Sequence, residues 1–439
     1  MISSRVGRAV QVTRRWARSL PPLVADAWLY VASAIFALAV AATSSIPLYR
    51  EWGAMAAVPY LLGALLALVL SRSVRRRPSP PRGQRLGWML AALVGISTLA
   101  VPLGFEVHWR ADAANASAYV QPEASVIERA GNAVAHGQDP YQVVTSGGRV
   151  VVAGPLPTYE HYFPYLPGMA VLGMASTLHA PRTVTDARWT FLLVTLALLA
   201  VGLALLRATS LQRLRVAQAL VVLPMGALPL VTGGDDLPVA ALCLVAVALL
   251  ARRATFAGGL ALGLAAAMKF TAWPLALLAL AFFAVRGTRR ETGWLALGFS
   301  AVVLPVVVPF ATFNPQAFLQ NVVLFPLGLA GVASPAASAL PGHLLVDAIP
   351  GFHRAYVVLI ALVGVALLLW RLRTAPPRRL DQLVSLAGWV MLYATCMAPA
   401  TRVGYLLYPI NLFVWAAVLR AGQRREQQES PAELLLVSH

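Results

Sequence analysis

The sequence has little charge and almost no lysine. Only 12% of its 439 residues are charged, whereas a soluble domain typically carries about 25%. Hydrophobic residues make up 59% of the chain, and Lys269 is its single lysine. A composition this apolar excludes an ordinary soluble domain. Because a helix satisfies its own backbone polar groups in lipid, we expect an all-α, polytopic membrane helix bundle.

Cysteine and acidic residues are scarce too. Cys243 and Cys396 both lie in apolar runs, so the sequence contains no disulfide framework. There are 17 acidic residues against 35 basic ones, which gives a net charge of +18. Such an excess can indicate nucleic-acid binding, but here the arginines form short clusters between apolar runs. That is the pattern of cytoplasmic loops in membrane proteins, and we therefore expect no nucleic-acid partner.

Twelve apolar runs are candidate membrane spans, although several are shorter than the usual length of about 20 residues. They cover residues 23–43, 55–71, 86–105, 188–206, 216–232, 237–251, 255–269, 271–285, 294–312, 354–371, 383–399 and 404–420. The two runs on either side of Lys269 have an alternative interpretation as one broken helix. A further apolar stretch, 165–180, is treated as a non-spanning juxtamembrane helix.

The arginine clusters set the predicted topology. The first cluster consists of Arg5, Arg8, Arg14, Arg15 and Arg18. With the N-terminus inside, most clusters fall in the cytoplasm, as the positive-inside rule requires. The prediction is a single multi-pass domain over 1–439 in the plasma membrane, with both termini cytoplasmic. Its large external loops are 106–187 and 313–353, and its cytoplasmic tail is 421–439.

The first external loop contains a predicted helix. Pro122 suits a helix start and Gly137 suits a helix stop. Between them, Ile127 and Ala130 lie at helical spacing, and Glu123 falls on the same apolar stripe. A carboxylate on the face turned toward the membrane is costly unless it has a partner or a function. Glu123 is therefore a candidate functional residue; the alternative is that it only complements the helix N-terminus.

Two other acids of this loop are also candidates. Asp112 has the alternative interpretation of a solvated loop acid. Glu128 lies on the opposite helix face from Glu123. Its alternative is a surface ion pair with Arg129 or Arg110.

The stretch "TGGDDLPVA", residues 232–240, joins two predicted spans on the external side. Asp235 and Asp236 are adjacent acids at a membrane boundary, where they would suit a sugar hydroxyl or a divalent metal. The alternative is a solvated helix N-cap before Leu237. No cofactor is expected, and a divalent metal has no further support because the histidines show no metal-ligand spacing.

Two cations fall on the same external side. Lys269 is at the outer end of its predicted span, where an ammonium group can meet a phosphate. Its alternative is a snorkelling lysine that marks a helix end. Arg402 lies between two apolar runs and suits bidentate phosphate contact, while the nearby Tyr405 and Tyr408 suit an interfacial aromatic belt. The polar candidates thus converge on one external site.

The chain resembles the GT-C superfamily of membrane glycosyltransferases, and more narrowly glycosyltransferase family 87 of actinobacteria. The stretches that carry the resemblance are "ERAGNAVAHGQDPY" (128–141), "YFPYLPGMAV" (162–171), "GGDDLPVAALCLVAVALLARR" (233–253) and "AGGLALGLAAAMKFTAWPL" (257–275). Together they cover about a quarter of the chain. The resemblance implies a membrane helix bundle of GT-C type with external juxtamembrane helices.

The resemblance also implies roles for individual residues. Family members carry an aspartate and, four residues later, a tyrosine where this chain has Glu123 and Ile127, so Asp112 stays open as the alternative base. Lys269 matches the family lysine and, with Arg402, would bind the donor phosphate. The implied sugar- or acceptor-binding residues are Asp235, Asp236, Asp139, Tyr141 and Tyr165.

The implied activity is inverting transfer of a sugar, often mannose, from a polyprenyl-phosphate donor. The acceptor would be a cell-envelope glycan or glycolipid, and the protein would be embedded in the lipid bilayer. A transporter or lipid flippase is the alternative, but it would need polar residues along a path through the membrane. A non-catalytic scaffold is a third interpretation.

Overall fold

The computed structural model describes residues 20–76, 80–112 and 116–436. The predicted N-terminal arginine cluster, from Arg5 to Arg18, lies outside these residues. The cytoplasmic placement of both termini and the external position of the site stay predictions. The end of the predicted tail, 437–439, also lies outside them.

Most of the described chain is helical. In chain order the α-helices are α1 Pro22–Thr43, α2 Pro47–Arg76, α3 Pro80–Gly95, α4 Val101–Asp112, α5 Pro122–Ala135, α6 Arg182–Thr185, α7 Ala187–Leu205, α8 Ser210–Ala217, α9 Pro224–Thr232, α10 Asp236–Ala251, α11 Thr255–Met268, α12 Trp273–Arg286, α13 Arg289–Phe313, α14 Pro315–Phe318, α15 Pro341–Ala348, α16 His353–Thr374, α17 Leu380–Met397 and α18 Leu407–Leu436. The 3₁₀ segments are Ala116–Tyr119, Thr158–His161, Pro167–Thr177, Phe270–Ala272, Pro350–Phe352 and Val403–Leu406, and the π-helical segments are Ile96–Ala100, Gln218–Val222 and Leu319–Leu324. A small antiparallel hairpin pairs β1 Thr145–Ser146 with β2 Arg149–Val150.

The all-α membrane bundle is confirmed, and the chain is a multi-pass membrane protein. Within the described residues, nine helical stretches are long and apolar enough to cross a membrane. Three shorter apolar helices, of 10–17 residues, coincide with the predicted runs 237–251, 255–269 and 271–285. The count of twelve spans is therefore not confirmed. The narrower prediction, a bundle of GT-C type, stays a prediction.

The chain divides into two compact units, while the prediction of one domain over 1–439 stays a prediction. Of the described residues, unit 1 comprises those from 20 to 106 together with 209–232. Its helices α1 and α2 cross closely, and a Cβ on Gly53 would lie 2.6 Å from the carbonyl oxygen of Ala37. Buried in the same unit, the Asp26 carboxylate pairs with Arg215. A buried ion pair thus links α1 to α8 in this unit.

Unit 2 comprises residues 107–208 and 233 onward and is built around α10. Fourteen of the sixteen residues of α10 are buried, because α7 and α11 pack along it. α11 in turn packs on α13 through glycines: a Cβ on Gly263 would lie 2.8 Å from the carbonyl oxygen of Phe299. Such close backbone approach fixes the position of α11, whose last residue precedes Lys269.

The predicted helix of the first external loop is present in unit 2. It begins at Pro122 and ends at Ala135, and Gly137 follows with a φ of +70°. The predicted start and stop are therefore confirmed. α5 packs on the 3₁₀ helix Pro167–Thr177 with Gly131 and Gly173 at the contact, where backbone meets backbone. At eleven residues, this 3₁₀ helix is too short to span a membrane, as predicted for 165–180.

Candidate active site

Lys269 lies at a break between two helices. Its backbone is extended, with φ −153° and ψ 142°, between the end of α11 and the 3₁₀ turn Phe270–Ala272. The chain is therefore interrupted here, as in the broken-helix interpretation. The backbone N–H of Leu166 donates to the carbonyl oxygen of Met268 at 3.0 Å. This bond holds the break against the segment that carries Tyr165.

Two adjacent carboxylates bind the ammonium group of Lys269. Its Nζ lies 2.8 Å from Oδ1 of Asp235 and 2.6 Å from Oδ1 of Asp236. The hydroxyl of Tyr408 donates to the same oxygen of Asp236 at 2.8 Å. Since Asp236 opens the buried helix α10, the most deeply packed helix of unit 2 sets the position of the lysine. We call Lys269, Asp235 and Asp236 the lysine cluster.

Two tyrosine rings flank the same ammonium group. Nζ of Lys269 lies 5.3 Å from the ring centre of Tyr165 and 5.4 Å from that of Tyr405, within the range of a cation–π contact. Desolvation by burial raises the pKa of Tyr165 well above its usual value, so its hydroxyl stays neutral. Lys269 is only 8% exposed. The charge of the lysine is therefore held rigidly in a nearly dry setting.

Arg402 forms an ion pair with Glu123, the predicted base. One guanidinium nitrogen lies 2.6 Å from Oε1 of Glu123, and another donates to Oε1 of Gln121 at 3.0 Å. The second carboxylate oxygen, Oε2 of Glu123, is buried and accepts no hydrogen bond from the described residues. Because buried carboxylate oxygens normally accept hydrogen bonds, this oxygen can take a donor from a substrate.

One cavity of about 200 Å³ joins these groups. Glu123, Lys269, Arg402 and Tyr165 all line it. The second predicted external loop contributes Ser334, Pro335 and Ala336 to the lining. Two backbone hydrogen bonds, of 2.8 and 2.9 Å, tie this loop to Thr401, the residue before Arg402. The loop therefore closes the site next to the arginine.

Two of the three predicted catalytic acids do not line this cavity. Asp112 is 67% exposed and lies 3.3 Å from the imidazole of His108, as its solvated alternative predicts. Glu128 pairs with Arg110 at 2.7 Å, which is one of its predicted partners. Arg110 is buried and Glu128 is only 12% exposed, however, so this is not a surface pair. Of the predicted acids in the first external loop, the structure brings Glu123 to the cavity.

Glu128 belongs to a closed ion cluster with Arg110, Asp186 and Arg188, which we call the arginine cluster. Arg110 contacts Asp186 at 2.7 Å, and Arg188 contacts Asp186 at 2.9 Å. All four carboxylate oxygens of the cluster accept hydrogen bonds; one donor is the backbone N–H of Ala187, 3.1 Å from Glu128. These contacts fasten α5 to α7 and to the end of α4, and so position the helix that carries Glu123.

Asp139 and Tyr141 build the loop that follows α5. Oδ1 of Asp139 accepts the backbone N–H of Tyr141 at 3.0 Å, a local turn typical of aspartate. Burial raises the pKa of Asp139, while this hydrogen bond lowers it. The hydroxyl of Tyr141 donates to the carbonyl oxygen of Tyr165 at 2.8 Å. These two residues therefore position Tyr165 and do not line the cavity themselves.

Several lining or supporting residues were not predicted. Gln121, which orients Arg402, precedes Pro122 at the start of a predicted helix, and that position was its only signal. Tyr159 also lines the cavity, and burial raises its pKa. The lining stretch 334–336 has no sequence signal at all. Across the described residues, no group of three His, Cys, Asp or Glu side chains is arranged to hold a metal ion.

This fold and site define a class: multi-pass membrane proteins with a cavity, lined by one carboxylate and two cations, at the ends of membrane helices. Within that class, the chain belongs to glycosyltransferase family 87, whose family model matches residues 163–399, more than half of the sequence. The predicted family is thereby confirmed. The match includes Lys269 and both acids of the lysine cluster, whereas Glu123 and Arg402 lie outside it. No curated protein and no solved structure matched the chain.

Family membership makes the chain a glycosyltransferase, with a sugar donor and an acceptor as substrates. The cavity contains the groups that glycosyl transfer to a hydroxyl uses. A carboxylate can accept the proton of the attacking hydroxyl. Cations can stabilise negative charge on a leaving group.

Proposed function

We propose that the chain is an inverting glycosyltransferase that moves mannose, or another hexose or pentose, from a polyprenyl-phosphate donor. The acceptor is a hydroxyl of a cell-envelope glycan or glycolipid, and the reaction takes place on the external face of the membrane. The observation that carries the proposal is the joint presence of Glu123, Lys269 and Arg402 on one cavity.

In this reaction Glu123 is the general base. Glu123 lines the cavity, and its buried Oε2 has no hydrogen-bond partner among the described residues. The acceptor hydroxyl gives its proton to this oxygen while its own oxygen attacks the anomeric carbon. The bond between the anomeric carbon and the phosphate oxygen breaks on the opposite face of the sugar, which inverts the configuration. Polyprenyl phosphate leaves with the bonding electron pair.

Arg402 and Lys269 stabilise the charge that develops on the phosphate. Arg402 is paired with Glu123, so a donor phosphate competes with that carboxylate for the guanidinium. When the phosphate takes the guanidinium, Glu123 loses its cation and becomes free to accept a proton. Donor binding therefore prepares the base. Lys269 is held by two acids and contributes a fixed charge on the other side.

The sugar and the acceptor would contact the remaining candidates. Tyr165 lines the cavity beside Lys269 and offers a neutral hydroxyl and a ring face to a sugar. Asp235 and Asp236 orient Lys269 and so act on the donor phosphate indirectly. Asp139 and Tyr141 support Tyr165 from behind.

The test is transfer of radiolabelled sugar in membranes that contain the full chain, with polyprenyl-phosphate sugars and nucleotide sugars compared as donors. We expect transfer from a polyprenyl-phosphate donor and a loss of about 10²- to 10⁴-fold for Glu123→Gln. Asp112→Asn is the matched control, because Asp112 is an exposed acid away from the cavity, and it should keep full activity.

Two results would contradict the proposal. Transfer from a nucleotide sugar alone would exclude the lipid-linked donor. Full activity of Glu123→Gln, or loss of activity only with Asp112→Asn, would exclude Glu123 as the base.

A further inference from the structure

A second polar cavity lies at the other end of α17 from the candidate active site. α17 ends at Met397, shortly before Arg402, and begins at Leu380, which adjoins this second cavity. Its 18 residues separate its two ends by about 27 Å. The second cavity has a volume of about 480 Å³ and shares no lining residue with the first.

Three arginines from three separate segments line this cavity: Arg371 at the end of α16, Arg378 in the following loop and Arg420 in α18. The lining contains no acidic residue. Arg420 lies 2.9 Å from the carboxylate of the buried Asp381, which does not line the cavity. Nη1 of Arg371 is buried and has no hydrogen-bond partner among the described residues. The cavity is therefore cationic, with one donor still to be satisfied.

An apolar groove continues from this cationic cavity. It has a volume of about 590 Å³ and lies between α16 and α17. The groove and the cavity share Arg371, Leu386 and Trp389 as lining residues, so they are contiguous. Only 6% of the apolar stretch of α16 is buried inside the protein. Lipid hydrocarbon would therefore surround this helix. Together the two spaces form a site that is cationic at one end and apolar along its length.

Trp370 indicates the depth of the cationic end of the site in the bilayer. It lines the groove, lies near the end of α16 and is 62% exposed. Exposed tryptophans of membrane proteins concentrate at the level of the lipid headgroups. Arg371 follows Trp370 directly, which places the arginines at the level of lipid phosphates.

We propose that this pair of cavities binds one anionic phospholipid. Its phosphate diester occupies the cationic cavity and accepts hydrogen bonds from Arg371, Arg378 and Arg420, while one acyl chain lies in the groove between α16 and α17. Basic pockets between membrane helices are suited to anionic headgroups. A preference for arginine in cytoplasmic loops explains why these residues are basic. It does not explain why three segments converge on one cavity that opens into an apolar groove.

The test is native mass spectrometry of the purified full chain with phosphatidylglycerol, phosphatidylcholine or inorganic phosphate added. We expect one phosphatidylglycerol per chain to be retained in preference to phosphatidylcholine. Arg371→Gln combined with Arg378→Gln should weaken retention about fivefold per arginine removed. Arg373→Gln is the matched control, since Arg373 is an exposed arginine of α16 that lines neither space.

A second pair of variants tests the groove while leaving the arginines intact. Val365→Trp places a large side chain in the groove, whereas Leu362→Trp places it on an exposed face of the same helix outside the groove. Only Val365→Trp should reduce lipid retention. Equal binding of both phospholipids, displacement of the lipid by inorganic phosphate alone, or retention unchanged in the double arginine variant would overturn the proposal.

Discussion

Unit 2 contains two buried ion clusters that differ in how their carboxylates are satisfied. In the arginine cluster, two acids face two arginines and every carboxylate oxygen accepts a hydrogen bond. In the lysine cluster, two acids share one lysine, and Oδ2 of Asp235 accepts no hydrogen bond from the described residues. The neighbouring Glu123, which lines the cavity, has such an oxygen as well.

The comparison separates two uses of buried charge. A cluster with balanced charge and filled acceptors has no carboxylate oxygen left to offer a ligand, and it stabilises the packing of α4, α5 and α7. A cluster with excess acid and an open acceptor beside a cavity retains unsatisfied polar capacity, which is costly unless a substrate uses it. The balance of charge and the number of filled carboxylate acceptors therefore distinguish a cluster that stabilises packing from a cluster beside a substrate site better than burial does.

The largest expected effect on stability comes from breaking the arginine cluster. Arg110→Met leaves the carboxylates of Glu128 and Asp186 without this cation, and we expect a loss of about 3–5 kcal/mol in the free energy of unfolding. Chemical unfolding in detergent measures it. Arg129→Met is the control, because Arg129 is 41% exposed and its ion pair with Glu160 is long, at 3.4 Å. This variant should cost less than about 1 kcal/mol. Equal losses of stability in both variants would contradict a stabilising role of the arginine cluster.

Breaking the lysine cluster should lower the transfer rate as well as stability, because Lys269→Ala also leaves two buried carboxylates without their cation. Lys269→Ala removes a cation from the proposed leaving-group site, and we expect transfer to fall about 10²- to 10³-fold. Lys269→Arg retains the charge but replaces a compact ammonium with a flat guanidinium between two tyrosine rings. We expect Lys269→Arg to restore stability without restoring the full rate, as measured by unfolding and transfer on the same samples. Full activity of Lys269→Ala would show that this lysine is structural only.

A smaller effect is expected for Tyr408→Phe. The variant removes the hydroxyl that donates to Asp236 at 2.8 Å, and a hydrogen bond to a charged group contributes about 1.5–3 kcal/mol. Unfolding measurements should detect this loss, and the transfer rate should fall less than in Lys269→Ala. A rate loss equal to that of Lys269→Ala would instead assign Tyr408 a direct part in the reaction.

The smallest effect is expected for Asp139→Asn. Asparagine makes the same local turn as aspartate, so both stability and transfer should stay near those of the unchanged chain. Loss of transfer with intact folding would indicate that Asp139 takes part in the reaction directly and does not only support the loop.

The helices could be predicted from the sequence because their signal is local. Each of the twelve apolar runs corresponds to helical structure, and Pro122 and Gly137 bracket α5 as their backbone preferences require. The number of spans could not be predicted, because hydropathy alone does not distinguish a full span from the shorter buried helices around Lys269.

The contacts of the site were harder to predict, since they depend on packing between distant segments. Lys269 was predicted to meet a phosphate or to snorkel at a helix end, and its partners Asp235 and Asp236, which precede it by more than thirty residues, were not predicted. Arg129 and Arg110 were equally good partners for Glu128 by sequence, but Arg129 contacts Glu160 instead. Only the crossing of α5, α7 and the end of α4 decides between them.

The contact between Gly131 and Gly173 has a consequence for how the chain can evolve. A Cβ at either position would collide with the backbone of the other element, at Ala170 or Ile127 among others. Even alanine, the best helix former, would push α5 away and carry Glu123 with it. In relatives that perform the same reaction, both positions should therefore remain glycine while the apolar residues around them drift.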